Sequence, residues 1–136
     1  MSPGVSDGTV PGPALPAAES AAFAKGVAQF NERLFFECHD TLEEIWSGVR
    51  GPSRDFFQGL IQVAVGFHHL GNHNRPGAIA VLRRALGRLE RYPPRYAGVE
   101  LAPLRDALAG WLAGLESAGD TPPRPPTIVI VQRGTT

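Results

Sequence analysis

The chain has 136 residues, 43% of them hydrophobic, which is enough for one compact domain and too little for two ordinary ones. Lys plus Arg and Asp plus Glu both number 13, so no net field draws the chain to nucleic acid or to an anionic membrane. The single cysteine, Cys38, excludes an internal disulfide, no apolar run approaches the roughly 20 residues of a spanning helix, and the first residues lack the pattern of a secretion signal, so a soluble cytoplasmic protein is expected.

Residues 1–16 are rich in Gly, Pro and Ala with little to bury, and read as a flexible arm. The helical domain is expected over 17–118. A first helix runs from Ala17 to about Leu34, with Phe23, Val27, Phe30 and Leu34 on one face. A second spans Phe35 to about Val49 and stops at Gly51 and Pro52; whether it continues the first or kinks away near Arg33 is open. Ser53 reads as the N-cap of a third helix to about Leu70, apolar on most sides and therefore central. Its Gly59 and Gly66 cost helix stability, so neighbouring helices are expected to approach closely there. Asn74 caps a fourth helix, Pro76 to about Arg91, and YPPRYAG is a loop. A fifth helix, about Leu101 to Leu115, turns its leucines and Trp111 to one side. The remainder, 119–136, is a proline-rich extended tail ending in the β-branched run Ile128–Val131. That run packs along the helices, pairs with another chain or stays disordered, and disorder or loose packing is the expectation. The fold class is all-α: a single bundle of about five helices with an N-terminal arm and a C-terminal tail.

The segment FFECHDTLEEIW carries the strongest chemical signal. At about 100° per residue Phe35, Leu42, Ile45 and Trp46 form an apolar stripe with His39 and Glu43 on its shoulder, while Glu37, Asp40 and Glu44 face solvent. An ionisable pair held close to the core needs compensation. The third helix offers it. Gln58, Gln62 and His69 share one face and His68 lies on the flank, so antiparallel packing brings a histidine near His39 and Gln62 near Glu43. Two imidazoles and a carboxylate suffice to hold Zn, Fe or Mn with open positions for water or substrate, and the glutamines would orient a ligand. In the alternative reading the same groups are a buried polar network that fixes helix packing in a non-catalytic interaction or structural module. An HExxH protease is excluded, because its second motif histidine is missing.

FNERLFFECHDTLEEIW followed by FFQGLIQVAVGFHHLGNHNRPGA resembles the small bacterial and archaeal proteins grouped as domain of unknown function family 309. The resemblance covers about Phe30 to Leu89 and implies a compact all-α fold with no established activity. It matches at Glu37, His39, Leu42, Glu43, Trp46, Gln58, Gly59, Ala64, His68, Asn72 and Gly77. By this resemblance His68 rather than His69 faces inward, giving His39, Glu43 and His68 as metal ligands. Glu37, Trp46, Gln58 and Gln62 then hold or orient what binds.

Cys38 reads as a core or half-buried thiol. Arg84, Arg88 and Arg91 form a stripe opposed locally only by Glu90, best explained as a solvated face. His73 belongs in an exposed loop, and Tyr92 and Tyr96 cover the bundle end. A small molecule, a protein or a second copy of the chain remains open as partner.

Overall fold

The computed structural model describes residues 17–117 and 124–130; the arm assigned to 1–16 and Val131 lie outside them. Among the described residues the elements in chain order are α1 (Ala17–Asn31), α2 (Phe35–Trp46), α3 (Ser53–Gly71), α4 (Arg75–Leu89), β1 (Arg95–Tyr96), β2 (Val99–Glu100) and α5 (Leu101–Glu116). The all-α bundle is thus present. No helix among these residues is long and apolar enough to cross a membrane.

α3 is central and packs against both α2 and α4. Its apolar residues face several neighbours at once, with Phe56, Leu60, Val63 and Ala64 fully buried. Its two interior glycines lie on the α4 side. A Cβ built on Gly66 would stand 2.4 Å from Leu82 Cδ2, and one on Gly59 would stand 2.8 Å from Leu89 Cδ2. The expected close approach is therefore real, and α4 makes it. On the other flank Phe30 of α1, Phe35 of α2, Phe67 of α3 and Trp111 of α5 form a chain of ring contacts with centroids 5.1–5.6 Å apart.

The joint between α1 and α2 is a break, which the sequence left open. Arg33 has φ 71°, a left-handed conformation that no helix continues through. Asn74 caps α4 as expected, its side chain accepting from the Gly77 amide at 3.0 Å. Ser53 is not a cap. It is the first residue of α3, buried, and its hydroxyl lies 2.8 Å from that of Tyr96, so the hydroxyl serves a tertiary contact instead of a helix end. The expected YPPRYAG loop folds into a small hairpin, with Ala97 and Gly98 both at positive φ as a type I′ turn requires. Tyr92 and Tyr96 pack on Phe56 and close this end of the bundle.

The tail departs from its expectation. Ile128 is buried, Ile130 bridges Val99 of β2, and the Glu100 amide donates to the Val129 carbonyl at 2.9 Å. A free strand has nothing to pair with, but the exposed edge of β2 supplies a partner.

Candidate functional site

α2 buries Cys38, Leu42 and Ile45, so the centre of its inward face lies about 130° from Glu43 and about 90° from His39. His39 is accordingly only partly covered, its side chain 25% exposed, and Glu43 is 50% exposed. This corrects the expectation of a pair held near the core, and with it the buried polar network. Cys38 takes the inward position and turns the pair toward solvent.

What the helix gathers outside is a compact ligand set. His39 Nδ1 lies 3.6 Å from Asp40 Oδ1, and His39 Nε2 lies 3.5 Å from Glu43 Oε2. The three residues each offer one ligand atom, all within 4.8 Å of one another. Asp40 was read as a mere solvated acid; its contact with the adjacent imidazole is what that reading missed. Asp40, Glu43, Glu44, Trp46 and Ser47 line an open groove beside the set. The Trp46 indole N–H is buried with no acceptor among the described residues.

The electrostatics of this face are one-sided. α2 has no basic residue in its last turn, where Glu43 and Glu44 sit beside the partial negative charge of the helix C-terminus. Among the described residues no lysine or arginine pairs with Asp40, Glu43 or Glu44. Arg54 is near, but its guanidinium stacks 4.0 Å from the Trp46 ring centre and donates to the carbonyls of Trp46 and Val49. That stacking holds the indole in place.

The other expected residues disperse. Phe36 of α2 touches both histidine rings, with centroids 6.0 Å from His39 and 5.6 Å from His68. His68 is therefore the histidine beside α2, yet it stands outside the converging set. Its Nε2 lies 3.3 Å from the Asn72 side-chain nitrogen, while His69 Nδ1 lies 3.4 Å from that of Asn74. Gln62 does not approach Glu43. It accepts from Arg88 Nε at 3.1 Å, facing α4 on the same stripe as Gly59 and Gly66. Gln58 is half-buried and Glu37 exposed. Asp55, two turns before Gln62, pairs with both Arg88 and Arg91. The arginine stripe is thus answered across the helix pair by an acid that the local sequence did not reveal, and of its three arginines Arg84 is the one left as a solvated face among the described residues. His73 is exposed in the α3–α4 turn, at φ 61°.

Residues 23–81 match the family model described as Domain of unknown function (DUF309), which bears out the resemblance read from the two motif segments. An uncharacterized protein of Aquifex aeolicus (strain VF5) is 27% identical over 89 residues, covering 65% of this chain and 26% of that protein. The match to that relative thus spans about a quarter of its length. The family segment contains all of α2 and α3, hence His39, Asp40, Glu43 and His68; the hairpin, α5 and the tail lie beyond it.

Proposed function

We propose that this domain binds a divalent first-row metal ion through His39, Asp40 and Glu43. The observation that carries the reading is the convergence of one imidazole and two carboxylates within 4.8 Å on one helix. Three protein ligands of this mixed N/O type suit Zn, Fe or Mn and leave positions open for water or for a small ligand lying in the adjoining groove. The acids at the end of α2, with no basic residue in its last turn, favour a cation there. An imidazole must be neutral to coordinate, so binding weakens toward acid.

Titration calorimetry with Zn, Mn and Fe(II), together with elemental analysis of the purified protein, tests the reading. His39→Ala and Glu43→Gln are expected to abolish binding and the thermal shift that accompanies it, whereas Glu37→Gln leaves both unchanged. His68→Ala is expected to change affinity only a few-fold, roughly the effect of an outer contact. Absence of metal together with no thermal shift on its addition overturns the proposal. In that event a non-catalytic interaction module is the better reading, favoured by the exposed apolar side chains of Leu34 and Phe36 at the start of α2. Its mark is an association lost on Phe36→Glu.

A further inference from the structure

The C-terminal segment is held in a way that ordinary packing does not require. Trp111 Nε1 donates to the Arg124 carbonyl at 3.2 Å, and the Arg33 guanidinium donates to the carbonyls of Pro125 and Pro126 at 3.1 and 3.2 Å. Asn31 takes both main-chain groups of Ile128, its amide donating to the carbonyl at 3.0 Å and its oxygen accepting the N–H at 2.8 Å. The Glu100 amide donates to Val129. Five carbonyls and one N–H are thereby recognised, while Ile128 is the one fully buried apolar side chain and Val129 points to solvent. Prolines carry no N–H, so a segment beginning Pro-Pro presents acceptors alone, and the groove meets them with an arginine and an indole. Main-chain recognition of this kind, with one side-chain pocket and pairing to a strand edge, is how folded domains bind extended peptides.

We propose that the groove formed by the α1–α2 turn, β2 and Trp111 is a recognition site for an extended Pro-Pro-x-Ile peptide, occupied in this structure by the chain's own residues 124–130. The occupant is a partner segment of that chemistry, and the tail is its built-in competitor. The inference is independent of the cation site on α2. A tethered competitor acts at an effective concentration in the millimolar range, so the closed chain resists weak peptides and admits tight ones.

The test uses full-length protein and a fluorescein-labelled synthetic peptide of residues 124–130, read by anisotropy. Ile128→Asp releases the tail and leaves the groove unchanged. This variant is expected to bind the peptide roughly tenfold or more tightly than the wild type, as removal of a tethered competitor demands. Adding Asn31→Ala and Arg33→Gly to it is expected to abolish binding, glycine keeping the left-handed conformation that Arg33 adopts. Circular dichroism checks the fold, and Ile128→Ala replaces Ile128→Asp if the latter is unfolded. A folded, tail-released variant that takes up no peptide overturns the proposal, as does binding that survives loss of Asn31 and Arg33.

Discussion

Cys38 shows how one small residue shapes the surface around it. It is fully buried and fills the inward position of α2, which leaves the adjacent His39 facing outward. Burial pushes its thiol up to about 12 from the ordinary 9.0, with a hydrogen bond from the Phe30 backbone pulling the other way. Below pH 9 both the folded and unfolded chains keep this proton, so its stabilising effect is complete. Above pH 9 the unfolded chain ionises first, and stability falls as pH rises toward 12. Tyr92, raised chiefly by burial and then by the neighbouring Tyr96, acts in the same direction at higher pH. Urea unfolding is expected to show a midpoint that declines above pH 9, the Cys38 share reaching roughly 4 kcal/mol at the alkaline limit. Cys38→Ala should flatten that decline while costing about 1 kcal/mol at neutral pH for the small cavity. A slope unchanged by the substitution would assign the alkaline loss to Tyr92.

At the scale of elements, the α3–α4 contact depends on two glycines whose absent side chains set the distance. Leu82 is fully buried and cannot swing aside, so the methyl of Gly66→Ala must displace a helix or distort a rotamer. The expected cost is about 1–3 kcal/mol by chemical denaturation. Gly87, in the same pair of helices, meets nothing within 4 Å and has no positive φ. Gly87→Ala is expected to stabilise by about 0.5–1 kcal/mol through helix propensity alone. The opposite signs of two identical chemical changes separate packing from propensity. The same contact is clamped at its rim by Asp55 with Arg88 and Arg91, and Arg105 closes the C-terminus of α4 by donating to the carbonyls of Leu89 and Tyr92.

For the whole molecule residues 124–130 of the tail are part of the fold. Losing an unbound tail would cost under about 1 kcal/mol. Docking of Ile128 and six main-chain groups, less the entropy of ordering the segment, makes the cost of ending the chain at Ser117 about 1–3 kcal/mol, several degrees in Tm. Ile128→Asp should cost the same amount, because each change forfeits the whole docking free energy and nothing more. Differential scanning calorimetry of the two proteins checks this. A truncated chain as stable as the intact one would show that the tail contributes no net stability.

Residues near one another in the chain determined what a helix needs. The spacing of apolar residues placed the five helices of the described residues, Asn74 identified a cap, Gly59 and Gly66 announced a close approach, Cys38 read as a core or half-buried thiol, and the two motif segments carried the resemblance that the match over residues 23–81 bears out. These are properties of a 3.6-residue period and of single side chains, and they are local. Tertiary structure decided which neighbour each face meets. Gln62 was expected to turn toward Glu43, but the glycine stripe it shares belongs to α4, and helical angles alone do not say which partner comes that close. Asp55 answers arginines 33 and 36 positions away, and Asn31 grips Ile128 across 97. A donor's distant acceptor leaves no local trace in the sequence. The exposure of Glu43, the left-handed Arg33 and the docked tail were therefore fixed only when the chain closed on itself.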